Sequence, residues 1–185
     1  MILSGNEIRQ RIAAGDIVIE PYNETQLNPN SYNLRIAEKL VIYREAVVDA
    51  KRENRTEIIT IPPEGYVLRP GRVYLGSTVE YTETRNLVPK LDGRSSIARL
   101  GLMVHLTAGF GDVCFRGQWT LELVAAQPIR IYPGMEICQI SYEEIEGEVL
   151  EGYHGKYQDQ RGATPSRLFQ EMGDAFMEAY GGGDA

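Results

Sequence analysis

The chain has 185 residues, 43% hydrophobic and 24% charged, which is the composition of an ordinary globular domain. Its formal net charge is −7, because 26 acidic residues outnumber 19 basic ones. We therefore expect no binding to nucleic acid or to an anionic membrane, since both need a basic surface. The sequence contains neither a long apolar run nor a leader-like segment, and its two cysteines fit a reduced, cytoplasmic protein without disulfides.

The first predicted element is a helix that starts after Ser4. Ser4 is a favourable N-cap residue, and Glu7 follows it at the spacing of a capping box. Ile8 and Ile12 are spaced so that both lie on one buried face. Gly15 is expected to end this helix, since glycine is common just past a helix C-terminus.

The chain from Asp16 to about Glu148 reads as short β-prone runs separated by Gly, Pro and Asn. The runs are DIVIEPY, YNLRIAEKLVIY, TEIITIP, GYVLRPGRVYLGSTVEYT, QWTLELVA and IRIYPGMEICQISYEEI. Strands of this length and spacing predict a mainly β fold, either a sandwich or a barrel. The run ARLGLMVHL fits a short helix or a strand. Residues 173–185 have few core-forming side chains, so we expect a flexible tail after a single domain over residues 1–172.

Zinc chemistry is not expected from this sequence. The zinc deaminases of bases need an H-x-E element and a P-C-x-x-C element, which hold the metal and move protons. Here the only histidines are His105 and His154, and Cys114 and Cys138 are isolated. The sequence also lacks the G-x-x-x-x-G-K-[ST] phosphate loop and the G-x-G-x-x-G dinucleotide motif.

GRSSIARLG, residues 93–101, is the first stretch suited to chemistry. It gathers Arg94, Ser95, Ser96 and Arg99 between glycines. Guanidinium groups and hydroxyls are good phosphate ligands. The same stretch, taken alone, is also typical of a turn that leads into a capped helix.

QWTLELVA, residues 118–125, is the second such stretch. Strand alternation predicts two faces, one with Trp119, Leu121 and Leu123 and the other with Thr120, Glu122 and Val124. Glu122 is then either a surface residue or a carboxylate buried for a reason. Burial would raise its pKa by desolvation and make it a candidate general base.

Two further stretches have open interpretations. Asp112 lies among glycines, where an aspartate either bonds its own backbone in a turn or accepts a hydrogen bond from a sugar hydroxyl. Residues 153–167, YHGKYQDQRGATPSR, combine aromatic, basic and amide side chains without periodicity. This segment is either a solvated tail or a lid that closes over phosphates.

Several motifs in sequence order resemble the dCTP deaminases of the trimeric dUTPase superfamily. They are DGRSSIARLGLMVHLTAG, FGDVCFRGQWTLEL, YPGMEICQI and KYQDQRGATPSR, preceded by MILSGNEIRQRI and NPNSYNLRI. The resemblance implies a distorted jelly-roll or barrel-like β-fold, and a homotrimer with active sites shared between subunits. It also implies dCTP as substrate, deamination without zinc, and dTTP as a candidate feedback inhibitor. Mg²⁺ would accompany the triphosphate, with no ligand from protein side chains.

The resemblance also implies roles for individual residues. Glu122 would be the general base that activates the attacking water, and Ser95 and the backbone carbonyl of Ala108 would help hold that water. Arg99 would stabilise the base as charge develops on its ring, and Asp112 would bind the deoxyribose 3′-hydroxyl. The implied nucleotide-binding set is Arg94, Ser95, Ser96, Arg99, Asp112, Thr120, Leu121, Glu122, Tyr153, Lys156 and Gln160.

The product and the conformation of one loop stay open. Some relatives release dUTP, which supplies the dUMP and dTTP pathway, whereas others split it further into dUMP and pyrophosphate. HLTAGF and KYQDQRGATPSR look closer to the second group, and GRSSIARLGLMVH closer to the first. A plain dUTP diphosphatase and a non-catalytic nucleotide sensor are further alternatives. The chain also departs from its relatives at Gly111, Val113 and Cys114, and a cysteine cannot adopt positive φ cheaply.

Overall fold

The computed structural model describes residues 1–172, and the predicted flexible tail lies outside them. The described residues form a mainly β fold with an N-terminal helix, as the sequence predicts. None of their helices is long and apolar enough to cross a membrane. The elements in chain order are α1 (Gly5–Ala14), β1 (Ile17–Glu20), β2 (Tyr32–Arg35), β3 (Lys39–Tyr43), β4 (Thr56–Thr60), β5 (Tyr66–Leu68), β6 (Tyr74–Thr84), β7 (Leu87–Gly93), α2 (Ser95–Ala98), β8 (Leu102–Met103), β9 (Arg116–Ala125), β10 (Ile129–Ile131) and β11 (Glu136–Glu144), with short 3-10 helices at Glu24–Gln26 and Leu168–Gln170.

The predicted boundaries of α1 are confirmed. The Ser4 side chain accepts a hydrogen bond from the Glu7 N–H at 3.2 Å, which satisfies one of the free amides at the helix start. Gly15 follows the last turn with φ 81°, the left-handed conformation that a glycine adopts without steric cost. Ile8 is fully buried and Ile12 packs against the core, so the helix uses its apolar face as expected.

The strands form three antiparallel sheets around one apolar core. The largest sheet has the order β4-β3-β6-β9-β8, and β1 pairs with another part of β6. The second sheet has the order β2-β11-β7, and the third pairs β10 with β5. Packed antiparallel sheets of this kind form a jelly-roll-like sandwich. Over residues 1–172 the strand order closes no complete barrel.

The run ARLGLMVHL, which the pattern left open, contains both kinds of element. Its start belongs to the single turn of α2, and β8 follows after Gly101 at φ 83°. β7 is a strand that the sequence analysis did not predict. Pro89 stands inside it, and a proline inside a run argues against a strand because it cannot donate to a ladder.

β9 is the strand that positions the candidate site. Its predicted alternation is confirmed: Leu121 and Leu123 are fully buried, whereas Thr120 and Glu122 are half-buried on the opposite face. The pairing of β6 with β9 shifts register between Ser77 and Tyr81. Two threonine hydroxyls of β6, one within this irregularity and one just after it, bind the same residue of β9. The Trp119 backbone N–H donates to the Thr78 hydroxyl at 2.9 Å, and its indole N–H donates to the Thr82 hydroxyl at 2.8 Å.

Candidate active site

One cavity of about 600 Å³ lies on the Glu122 face of β9. Four further parts of the chain border it: the end of β3 with the loop after it, the start of β6, the loop between β8 and β9, and the segment after residue 152. This volume is in the range of small-molecule sites. The lining residues are Tyr43, Val48, Val73, Leu75, Ala108, Phe110, Gly111, Asp112, Phe115, Trp119, Thr120, Glu122, Tyr153, Tyr157, Gln160, Thr164 and Ser166.

Half of the residues in the predicted nucleotide and water site lie together in this cavity. They come from two well-separated motifs and from the C-terminal region, so the fold brings together residues that are distant in sequence. They are Ala108, Asp112, Thr120, Glu122, Tyr153 and Gln160.

The Glu122 carboxylate is partly withdrawn from water in this cavity. Desolvation raises its pKa above the ordinary value of 4.5, while hydrogen bonds from the backbone of Leu106 and of Glu122 itself and the charge of His105 act in the lowering direction. The desolvation effect is the largest of these, and the pKa is raised. A carboxyl group with a raised pKa can both accept and return a proton at moderate pH, which is what a general acid–base catalyst needs.

The loop that carries Asp112 has two unusual backbone positions. Gly111 packs directly under the indole of Trp119, since a Cβ atom at residue 111 would lie 2.4 Å from Trp119 Cη2 and 2.9 Å from the Pro89 carbonyl oxygen. Cys114 has φ 69°, a left-handed conformation that costs a non-glycine residue about 1–2 kcal/mol. Its thiol donates to the Arg85 carbonyl oxygen at 3.1 Å, so the loop holds the cysteine in the conformation that the sequence analysis called costly.

The segment over residues 153–167, here called the C-terminal segment, is docked on β9 rather than extended into solvent. The Gln118 N–H donates to the Gln160 carbonyl oxygen at 3.0 Å, and the Gln160 side chain donates back to the Gln118 carbonyl oxygen at 2.8 Å. Further along, the Thr164 N–H donates to the Thr120 hydroxyl at 3.0 Å. The segment therefore runs beside the Glu122 face of β9 and covers the cavity.

The predicted residues of GRSSIARLG lie elsewhere on the single chain. Arg94, Ser95 and Ser96 line a separate depression of about 370 Å³, and the two serines and Arg99 are exposed. Arg94 already has a partner, because its guanidinium pairs with Glu136 at 3.1 Å. The water-holding role of Ser95 and the ring-stabilising role of Arg99 therefore stay predictions.

Two other predicted nucleotide-binding residues do not line the cavity. Leu121 is fully buried in the core on the opposite face of β9, so any contact from Leu121 to a ligand could come only from its backbone. Lys156 forms an ion pair with Glu171 instead. Both roles stay predictions.

An aromatic wall lines one side of the cavity, and two of its rings, Phe115 and Trp119, were not predicted from the sequence as site residues. The rings of Phe115 and Trp119 lie 4.5 Å apart between centroids, and those of Phe115 and Tyr153 lie 5.8 Å apart. Such a wall suits a flat heterocycle or the apolar face of a sugar. Strand alternation assigned Trp119 to the core face of β9, away from the predicted site. The only sequence signal for its place in the cavity wall is that it stands three residues before Glu122.

The described residues offer little to hold a metal ion. Among residues 1–172 no three His, Cys, Asp or Glu side chains are grouped as metal ligands, and the cavity itself has two carboxylates, Asp112 and Glu122. A divalent ion that enters with a triphosphate would have phosphate oxygens as its ligands, which fits the chemistry of Mg²⁺.

These features define a class of protein. The family model for dCTP deaminase-like proteins matches residues 2–145, and the chain belongs to that family. The resemblance predicted from the motifs is thereby confirmed, and with it the membership of an enzyme family.

Individual relatives are similar over nearly their whole length. A Hathewaya histolytica protein named "dCTP deaminase, dUMP-forming" is 57% identical over 172 residues, which cover 93% of this chain and 99% of the relative. Proteins of the same name from Leptospira biflexa and Clostridium acetobutylicum are 55% and 54% identical, again over 93% of this chain and 98% and 99% of the relatives.

A solved structure is similar in fold. The 2′-deoxycytidine 5′-triphosphate deaminase from Agrobacterium tumefaciens superposes with a TM-score of 0.60 at 22% identity, over 76% of this chain and 47% of that chain. The mainly β architecture expected from the sequence is thus shared with a solved structure.

Proposed function

We propose that this protein deaminates dCTP and then hydrolyses the dUTP formed, giving ammonia, dUMP and pyrophosphate. The observation that carries the deamination is the Glu122 carboxylate, desolvated in a cavity of about 600 Å³ with an aromatic wall. The sequence left open whether dUTP leaves the site or is split further. The names of the relatives, which end in "dUMP-forming", favour the second alternative.

The deamination needs one group that moves protons in both directions. In this proposal the Glu122 carboxylate takes a proton from a water molecule as the water oxygen forms a bond to C4 of cytosine. The protonated carboxyl then gives that proton to the amino nitrogen as the C4–N bond breaks and ammonia leaves. A raised pKa makes both transfers accessible in turn. The Ala108 carbonyl, which borders the same cavity, would hold the water.

The rest of the cavity suits the other parts of the nucleotide. Asp112 would accept a hydrogen bond from the 3′-hydroxyl, Phe115 would pack against the deoxyribose, and Tyr153 and Gln160 would cover the ligand from the C-terminal segment. The triphosphate would carry Mg²⁺ on its own oxygens, which lowers the charge that the protein must balance.

The basic side chains predicted to bind the phosphates do not line the cavity of the same chain. Arg94, Ser95 and Ser96 border a different depression, and Arg99 lies exposed outside the cavity. We therefore include in the proposal a homotrimer in which the α2 region of one subunit completes the cavity of its neighbour. In such an arrangement Arg99 would face the base and the serines would face phosphate.

Product analysis with dCTP and Mg²⁺ tests the proposal directly. Ammonia, dUMP and pyrophosphate should appear in equal amounts from the first turnovers, without accumulation of dUTP. Accumulated dUTP would instead show a simple deaminase that supplies its product to a separate enzyme. Turnover of added dUTP with no action on dCTP would show a plain dUTP diphosphatase.

A calorimetric titration separates the remaining alternative. Tight binding of dCTP or dTTP without any product would identify a nucleotide sensor and reject the enzyme. With an active enzyme, added dTTP should lower the initial rate if it acts as a feedback inhibitor.

A further inference from the structure

We infer that Arg116 and Asp159 form a latch outside the cavity that holds the C-terminal segment closed over the nucleotide. The two are positioning residues, since neither lines the cavity, and they act through the residues that follow Asp159. The inference rests on the proposed function for its substrate, although the closure itself can be measured without turnover.

The latch is a two-pronged ion pair. Arg116 Nε donates to Asp159 Oδ1 at 2.5 Å, and Arg116 Nη2 donates to Asp159 Oδ2 at 3.0 Å. Paired guanidinium–carboxylate hydrogen bonds fix orientation as well as distance. The pair holds the pKa of the Asp159 carboxyl below its ordinary value, mainly through the hydrogen bond from Arg116.

Backbone contacts join the same two stretches. The Asp159 N–H donates to the Arg116 carbonyl oxygen at 3.0 Å, and the Arg116 N–H donates to the Gln158 side chain at 3.0 Å. The Gln158 amide in turn donates to the carbonyl oxygens of Cys114 and Tyr153, at 2.9 and 3.0 Å. The ion pair therefore lies where the cavity loop, β9 and the C-terminal segment meet.

Two backbone positions beside the latch have positive φ, which lets the C-terminal segment lie close to β9. Asp159 has φ 60°, which aspartate tolerates better than most residues do. Gly117 has φ 148°, and a Cβ atom there would lie 3.0 Å from the Gln160 carbonyl oxygen. Two adjacent positions thus permit the segment to lie against β9.

The residues that follow Asp159 are hydrogen-bonded to β9 and continue to the cavity. Gln160, the residue after the latch, bonds β9 through both its backbone and its side chain and also lines the cavity. The Gly162 N–H donates to the Gln118 side chain, and the Thr164 N–H to the Thr120 hydroxyl. Opening the Arg116–Asp159 pair would free the start of this ladder, so residues that cover the nucleotide would be ordered less often.

The Asp159→Asn variant tests the latch with little disturbance, because asparagine also tolerates positive φ and only the charge is lost. Because an exposed ion pair is weak, the KM for dCTP should rise about two- to five-fold with little change in kcat. Trypsin should cleave the segment faster by a similar factor in the absence of nucleotide, since Lys156, Arg161 and Arg167 lie in it. The control is Arg9→Gln on α1, which breaks an exposed ion pair with Glu24 of the first 3-10 helix and should change neither value.

The double variant tests whether Arg116 and Asp159 act through one shared interaction. Arg116→Gln should reproduce the effect of Asp159→Asn, and the double variant should be no worse than either single variant, because both remove one interaction. Unchanged KM and unchanged cleavage in the single variants, or additive effects in the double variant, would overturn the latch. Cleavage is measured without turnover, so a latch without deamination would reject the proposed function alone.

Discussion

The Glu122 cavity and the α2 region differ in how much of a site one chain provides. The cavity desolvates its carboxylate and is bordered by the C-terminal segment. In the α2 region Ser95, Ser96 and Arg99 are exposed, the depression is smaller, and Arg94 is already paired with Glu136. Both carry residues of one predicted site. The difference teaches that one chain can desolvate a carboxylate by itself, whereas on the same chain the predicted phosphate-binding side chains lie apart from that carboxylate.

Glu122→Gln is the sharpest test of the cavity side of this comparison. General acid–base catalysis contributes about 10²–10⁴-fold, so we expect kcat for ammonia release from dCTP to fall by about 10³-fold. Binding of dCTP, measured by calorimetry, should persist because glutamine keeps the size of the side chain. Glu57→Gln, an exposed carboxylate on β4, is the matched control and should keep full activity. Equal activity of Glu122→Gln and the control would remove Glu122 from the mechanism.

Mixing two inactive variants tests whether the two regions meet across subunits. Glu122→Gln disables the cavity and Arg99→Gln disables the α2 region, each at a different position of the same site. If sites form between neighbours, a one-to-one mixture refolded together should regain roughly a quarter of the wild-type sites. Ammonia release from dCTP measures the recovery. A mixture that stays as inactive as its components would place each complete site within one subunit.

The same glycine-to-alanine substitution should destabilise the protein in one region and leave its stability nearly unchanged in the other. Gly111→Ala places a methyl group 2.4 Å from Trp119 Cη2, and such overpacking costs about 1–3 kcal/mol of unfolding free energy. Gly93→Ala meets its nearest neighbour, Val104, at an ordinary 3.7 Å and should leave stability nearly unchanged. Urea denaturation measures both. Similar midpoints for the two variants would show that the cavity loop can shift away from Trp119.

Two substitutions at Cys114 separate backbone strain from the loss of its thiol. Cys114→Ala loses the hydrogen bond to the Arg85 carbonyl oxygen and keeps the steric strain of the left-handed conformation. Cys114→Gly loses the same hydrogen bond but adopts that conformation without strain. The glycine variant should therefore be more stable than the alanine variant by about 1 kcal/mol. Thermal unfolding of the two variants gives the difference. A more stable alanine variant would mean that residue 114 is not held at positive φ in solution.

The raised pKa of Glu122 predicts a pH effect in a definite direction. A base must be deprotonated, so kcat/KM for dCTP should fall on the acid side with an apparent pKa above 4.5, the ordinary carboxyl value. The unfolded chain loses this proton at lower pH than the folded one, so this group makes the fold less stable as pH rises from 4.5 through its raised pKa. Glu122→Gln should remove this contribution. An acid limb at or below 4.5 would show a solvated carboxylate.

Local sequence signals predicted the elements that depend on local physics. The boundaries of α1 follow from Ser4 and Gly15, and the two faces of β9 follow from alternation alone. β7 escaped prediction because Pro89 interrupts its pattern, yet its neighbour β11 pairs with it along its whole length. That pairing is a long-range fact that no window of residues contains.

The candidate site also combines features that the sequence predicts with features that depend on long-range contacts. Motif positions predicted Glu122, Asp112 and Gln160, which the fold then brings into one cavity. The docking of the C-terminal segment has no periodic signal, because it depends on single bonds such as that from the Thr164 N–H to Thr120. Sequence order could not reveal that Ser95 and Glu122 line different depressions of one chain.

The irregularity in the pairing of β6 with β9 has a practical consequence through Trp119, the only tryptophan in the chain. Its indole is anchored to Thr82 and borders the cavity beside Gly111. The single tryptophan fluorophore of the protein thus lies in the wall of the cavity. Emission near this ring can follow ligand entry and departure on the millisecond scale, with no dye attached and no chemical turnover required.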